Sequence, residues 1–462
     1  MYDLRGSSQS YTPGGYTLEV SQPAAKPPGV KVDVRLALLR ARLSWKPWLW
    51  RFFTVVGPGV IVLTGDNDVG GFQTYTNTGA IYGFGLMWLM LVLIPVTYFC
   101  QEMVIRLGCA TGQGHAAMIF KRFGPLWGLF SLGDLVIVNF ATTITEFIGI
   151  AAGLAYFGIP PWASLALSIT FLYVLVSTGA YKRWENVTLV LVVANVLLIP
   201  LVLVVKPNFQ DAVLAYARFA LPHGLTADVV FLMIAIVGTT IAPWQIFFQQ
   251  SAIADKGMRI KDIPLARVDL LVGNVIVQVG AFALIVLGAQ LYFFHQSGTL
   301  TDPAQVATTL RGYTHNYTWG ALYAIALVNA GLIAAVAITL SSSWAVGEIL
   351  NVSASLNRGL RDAPVFYLSY AVLIGLAGVI TLIPGAPLQL ITISVQVLAG
   401  IMLPATIVLL NLLLNDRALL GPNLVNRPWQ NTTNWAIIGL LFVLSAILVM
   451  QTVAPNSFPK GP

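Results

Sequence analysis

Asp66, Asn67 and Asp68 stand inside an apolar stretch, GPGVIVLTGDNDVGGFQT over residues 57–74, which would carry two carboxylates and an amide to membrane depth. Ionisable side chains are costly there and mark ion or substrate routes. Such a set can hold a cation through hard oxygen ligands. Gly65, Gly70 and Gly71 flank the acids and are poor helix formers, so the sequence predicts a helix that breaks here and bares backbone groups. If residues 65–70 are extended, Asp66 and Asp68 share one side, whereas a continuous helix would splay them by about 200°. A second role for Asp68 is to cap the outer half-helix, with Asp66 solvated.

A matching interruption lies in AIVGTTIAPWQIFFQQS, residues 235–251. Pro243 lacks one backbone donor and its ring blocks another bond, which frees carbonyls near Thr239 and Thr240; Gly238 weakens the same turn. An ordinary proline kink is the alternative reading. Across from the acids, Gln245 and Gln249 offer amide oxygens, while Gly70, Gly71 and Ala242 leave room. No Met, Cys or His occurs within 235–251, the nearest sulfur being Met233, so soft ligands that select transition metals are missing. Mg²⁺ takes octahedral oxygen and gives up water reluctantly, so a roomy, acidic, oxygen-lined site suits a partly hydrated Mg²⁺. Cys100, Cys109 and the four histidines fall at span ends or in loops, which leaves no haem or catalytic-metal bundle.

The elements that must position these residues are membrane spans. The chain is 57% hydrophobic and 9% charged, far below the charged quarter of a soluble domain. Eleven apolar segments are long enough to cross a bilayer, near 48–82, 84–107, 126–156, 161–178, 186–206, 227–257, 266–295, 319–349, 364–383, 387–414 and 434–453. With the N-terminus inside, all of the 25 Lys and Arg except Lys206, Arg218, Arg311 and Lys460 fall on the inner side. The net charge of +7 is therefore a topology signal and gives no reason to invoke nucleic acid. The expected organisation is a cytoplasmic tail over 1–46, a first set of five spans over 47–206, a second over 227–414, and an extra span at 434–453, with the C-terminus extracytoplasmic. The basic stretch RLALLRARLSWK (35–46) reads as the positive flank of the first span or as an interfacial helix. Five is odd, so two such sets are inverted relative to one another. Breaks in the first and sixth spans then occupy corresponding positions, the strongest sequence pointer to a substrate site.

The run from Gly57 through Gly83, QEMVIRLGCATGQG from Gln101, ATTITEFIGIAAGL from Ala141 and APWQIFFQQS from Ala242 resemble the Nramp divalent-metal transporters, in the family's order and over nearly the whole chain. The resemblance implies an all-α, LeuT-type 5+5 inverted repeat, with broken helices 1 and 6 holding the metal between them. The departures fall at the site. The family pattern Asp-Pro-Gly-Asn reads here Asp68, Val69, Gly70, Gly71, so the acid is kept and the amide ligand is lost. Met-Pro-His-Asn reads Ala242, Pro243, Trp244, Gln245, and a later family histidine is Gln249. In the third helix the Asp of an Asp-x-x-Glu proton path is Thr143, while Glu146 remains. These changes resemble the Nramp-related magnesium transporters, which carry hydrated Mg²⁺. Loss of His and Asp removes proton carriers, so the resemblance implies little or no proton coupling.

The expected function is secondary transport of Mg²⁺, and of Mn²⁺, by alternating access in a multi-pass cell-membrane protein that works as a monomer, without enzymatic activity or a cofactor. Asp68 would bind the ion or its water. Asp66, Asn67 and Gln245 would contact the hydration shell, Thr240, Ala242 and Gly71 would give room or carbonyls, and Gln396 in ISVQVLAG would add a polar contact. Glu146, Thr143, Trp244 and Gln249 are candidates for the pathway, with Glu146 read as neutral and packed among Thr142, Thr143 and Thr145. The rivals are a proton-coupled Mn²⁺/Fe²⁺ carrier, an organic-substrate carrier, and a non-transporting membrane sensor. Two acids in the first span oppose a substrate carboxylate, which seeks bare N–H groups there. A sensor would append a soluble domain, yet the longest non-membrane segments are the tail and the loops near 207–226 and 296–318. No nucleophile–base set or cofactor motif lies at membrane depth.

Overall fold

The structure, a computed structural model, describes residues 54–453 apart from 223, 225, 296–299, 301 and 384–387. The tail over 1–46, with its basic stretch, lies outside the described residues. All the regular structure described is helical.

The first span is two helices. Pro58, whose ring presets a helical φ, opens α1 (Pro58–Thr64) after Gly57, whose φ of 145° only glycine adopts freely. After the break comes α2 (Val69–Tyr82). Next come α3 (Met87–Thr111), a short α4 (His115–Phe123), α5 (Pro125–Ala155), α6 (Pro161–Val176) and α7 (Tyr181–Val204). The sixth span is again two helices, α8 (Ala227–Thr240) and α9 (Pro243–Lys256). The rest are α10 (Ile263–Gly288), a short α11 (Gln305–Thr314), α12 (Tyr317–Ile349), α13 (Pro364–Thr381), α14 (Leu388–Leu414) and α15 (Pro428–Val453).

Among the described residues, 8 spans are long and apolar enough to cross a membrane: α3, α5, α7, α8 with α9, α10 with its continuation to Phe294, α12, α13 and α14. Of the other three expected crossings, the first is cut into pieces of 7 and 14 residues and the fourth (α6) has only 16; the last is α15, 26 residues long and apolar from Ala436 onward.

Helices from the earlier and later parts of the chain pack together. α5 runs along α12, α3 along α10, and α2 against α8. α1 and α2 both lie on α10, and α8 lies on α14, so both breaks are enclosed by other helices. The outer helices turn apolar side chains outward, among them Leu167 and Val174 of α6 and Val190 and Val193 of α7, as lipid-facing surfaces require.

α1 is held by charge at its start. Asp269 of α10 accepts hydrogen bonds from the N–H groups of Gly57 (3.1 Å), Gly59 (2.7 Å) and Val60 (3.3 Å). Lys256, at the end of α9, donates to the carbonyls of Val55 (2.9 Å) and Val56 (2.8 Å) and to Glu185 of α7 (2.6 Å). A carboxylate on the freed N–H groups complements the helix dipole.

Candidate cation site

The first break spans four residues. Gly65 keeps a right-handed helical conformation, Asp66 and Asn67 turn, and Asp68 is extended, with φ −71° and ψ −179°. The expectation of an extended 65–70 is therefore corrected. Helix resumes at Val69, because Asp68 caps it: its Oδ1 accepts from the Gly71 N–H at 2.5 Å, and its carbonyl from Phe72 at 2.8 Å. The second break is shorter. Ile241 (φ −141°, ψ 103°) and Ala242 (φ −110°, ψ 153°) are extended, and Pro243 opens α9 without a side-chain cap.

Both acids face the sixth span. Thr239 donates its hydroxyl to Asp68 Oδ1 at 3.3 Å, and Gln245 donates its amide to Asp66 Oδ1 in a short contact. Gln245 is in turn held by Gln101 of α3, whose Nε2 donates to Gln245 Oε1 at 3.2 Å. Asp66, Asp68 and Gln245 are at most 2% exposed. Deeply buried carboxylates demand compensation. Only part of it comes from protein: Asp66 Oδ2, Gln101 Oε1 and Gln249 Oε1 have no hydrogen-bond partner. An unpaired carboxylate oxygen on Asp66, with the unpaired Gln101 oxygen on the amide that holds Gln245, is what a cation or its water shell would satisfy.

Gln396 of α14 crowds Gly70, where a β-carbon would run into its amide. It lies close to Asp68, although its Nε2 makes no hydrogen bond of ordinary geometry. Gly71 packs against the Asp66 carbonyl, and Trp244 sits over Gly65. Ala242 is buried, and its carbonyl accepts from the Gln245 N–H at 3.2 Å.

Some expected residues stand elsewhere. The Asn67 amide is turned toward Gly280 of α10, and both its polar atoms lack partners, so it does not join the Asp66–Gln245 pair. The Thr240 hydroxyl donates to the Ile236 carbonyl (2.7 Å) and accepts from the Tyr75 hydroxyl (2.7 Å), which takes its proton and one of its two lone pairs. Thr143 bonds its own helix at the Asn139 carbonyl (2.7 Å). Glu146 is corrected most. Of the three threonines only Thr145 reaches it, at 3.3 Å, and its Oε2 accepts the Val69 N–H at 3.0 Å. Glu146 thus caps α2 from α5, one residue from Asp68.

Sequence reading missed Gln101, Thr239 as a hydroxyl ligand of Asp68, and Tyr75. Gln101 opens the block QEMVIRLGCATGQG and is fully buried among apolar neighbours, a signal that a polar side chain there has a partner. Among the described residues no group of three or more His, Cys, Asp or Glu could hold a metal ion. Any ion here would rest on two acids, amides and carbonyls.

Residues 59–451 match the Nramp family, described as natural resistance-associated macrophage protein-like. The chain is 28% identical over 426 residues to the divalent metal cation transporter MntH of Latilactobacillus sakei, covering 86% of this chain and 89% of the relative. Its fold is similar to a manganese transporter of Eremococcus coleocola, with TM-score 0.73 and 19% identity over 90% of each chain. It is also similar to Mhp1, a nucleobase-cation-symport-1 family transporter, with TM-score 0.54 and 12% identity over 88% of this chain and 94% of the other.

Proposed function

The chain belongs to the Nramp family, and from that premise we propose that it is a secondary transporter that carries divalent cations across the cell membrane, with partly hydrated Mg²⁺ as the main substrate and Mn²⁺ also accepted. The chain crosses eleven times, with the N-terminus inside, so that the breaks of the first and sixth spans meet at the bilayer centre. One observation carries the reading: the buried acids are surrounded by amides, hydroxyls and carbonyls, with Ala242 where a thioether would favour a softer ion.

The Gln245 amide N–H₂ donates to Asp66, where a cation would compete with it. An arriving ion displaces it, and the amide turns its oxygen toward the water shell. Gln101, bonded to that oxygen, turns with it and accepts from the Gln245 N–H₂ through its own unpartnered Oε1. Asp68 supplies charge throughout, since Gly71 and Thr239 donate only to its Oδ1. An inside-negative potential of 100 mV drives two charges with about 4.6 kcal/mol.

The test is flux in sealed liposomes with Mg²⁺- and pH-sensitive dyes. Mg²⁺ should enter without internal acidification, and Asp68→Ala should abolish entry. Normal transport by that variant would defeat the site assignment.

The second reading is proton-coupled Mn²⁺ transport. It is favoured by Glu146, a buried carboxyl one backbone amide from Asp68, and by the relatives' names. Acidification in step with Mn²⁺ entry, with Mg²⁺ ignored, would select it.

A further inference from the structure

Away from the breaks, the seam between α3 and α10 ends in a cavity of about 290 Å³ with an unbalanced charge. Arg106, Arg267 and Arg427 line it against the single carboxylate of Glu102. Glu102 is shared: Arg106 Nε reaches it at 2.9 Å and Arg267 Nη2 at 2.5 Å. Arg106 is used up, because its other nitrogens donate to the Leu424 carbonyl (2.8 Å) and to Asn426 (2.7 Å). Arg267 stays 42% exposed, and the Arg427 guanidinium has no hydrogen bond or ion pair among the described residues. Two guanidiniums therefore face the cavity with donors to spare. At the rim, Phe99 meets Trp429 edge-on, with ring centroids 5.7 Å apart.

A second cavity, about 390 Å³ and apolar, lies on the same seam, lined by Ile94 of α3 and by Leu271, Val275 and Val279 of α10. Ile94 precedes Tyr98 by one helical turn, and Leu271 follows Arg267 by one turn, so the two cavities are consecutive, about 6 Å apart along the helices. Leu271, Val275 and Val279 are exposed on the outer surface.

We propose that this seam binds an anionic phospholipid, with its phosphate on Arg267 and Arg427 and an acyl chain in the groove beside Val275. Guanidinium forks match phosphate oxygens two at a time, and basic pockets at helix ends take anionic headgroups. Aromatic residues such as Trp429 belong at the headgroup level. The adjoining groove is what distinguishes a lipid from a free phosphate ion, which would use the arginines alone.

The full-length protein, stripped of lipid in detergent, is titrated with dioleoylphosphatidylglycerol, dioleoylphosphatidylcholine or inorganic phosphate and read by native mass spectrometry. One phosphatidylglycerol should be retained at concentrations where the other two are not. The R267Q/R427Q double variant should lose roughly 30-fold in that retention, at about a factor of five for each arginine. Val275→Trp, which fills the groove and leaves the charges, should also lower it. R427Q alone, at an exposed side chain without a protein partner, serves if the double variant misfolds. Equal retention of the two lipids, or unchanged retention in R427Q and Val275→Trp, overturns the proposal. Inorganic phosphate binding as tightly as the phospholipid overturns it too, and assigns the arginines to a soluble anion.

Discussion

The two breaks interrupt their helices by opposite means. The sixth-span break is made by backbone chemistry: Pro243 opens α9, two extended residues precede it, and no side chain caps the start. The first-span break has no proline and is held by carboxylates, with Asp68 on the Gly71 N–H and Glu146 on the Val69 N–H. The proline break keeps its shape whatever binds nearby. The acid-capped break couples its shape to charge, because the oxygens that hold α2 in place belong to groups that would also face a cation. Ligand binding and helix geometry are thus linked on one side of the site and independent on the other.

Substitutions can pull that contrast apart. The largest effect is expected at Asp68, where two variants separate cap from charge. Asp68→Ala should abolish Mg²⁺ flux and also cost about 0.5–2 kcal/mol of stability through the lost cap. Asp68→Asn keeps a capping oxygen, so it should abolish flux with little change in melting temperature. An Asn variant that still transports would mean that the charge is dispensable.

Ala242→Met adds a sulfur to the proline break without touching the acids. Competition flux should shift preference toward Mn²⁺ by roughly tenfold, in the direction that soft ligands dictate. Unchanged selectivity would count against the ligand argument. Gln101→Glu should be milder: an acceptor-only side chain favours the Gln245 orientation proposed for the loaded site over the one bonded to Asp66, so with a buried hydrogen bond worth about 1 kcal/mol the apparent Mg²⁺ affinity should tighten roughly fivefold with the maximal rate kept. Gln101→Leu, which removes the bond from both orientations, should not tighten it. Thr239→Val is expected to be smallest, about twofold in affinity, because a 3.3 Å hydroxyl contact is a weak one.

Much of this was legible in the chain, for identifiable reasons. Asp66 and Asp68 in an apolar run, and Pro243 in another, are violations of local rules that sequence reading detects directly. What escaped were pairings across the fold. Gln101 lies 144 residues from Gln245, and nothing local to QEMVIRLG points to that partner. Asn67 looked equivalent to its neighbours, but the turn of the break sends it to α10. Glu146 beside three threonines suggested a local network. The threonines instead bond mainly to their own helix, and the acid reaches α2. The first expected span yields no single helix long enough to cross, because the break at Asp66–Asp68 cuts it into pieces of 7 and 14 residues.

Asp269 and Lys256 grip α1 through peptide groups, not through its side chains. A helix of 7 residues contributes little cohesion of its own, so its release depends on those two distant residues rather than on the apolar sequence of the rod itself. Drift among Val60, Ile61 and Val62 would leave the latch intact, whereas neutralising Asp269 would loosen the starting end of the first span, away from the break, without altering a single atom of it.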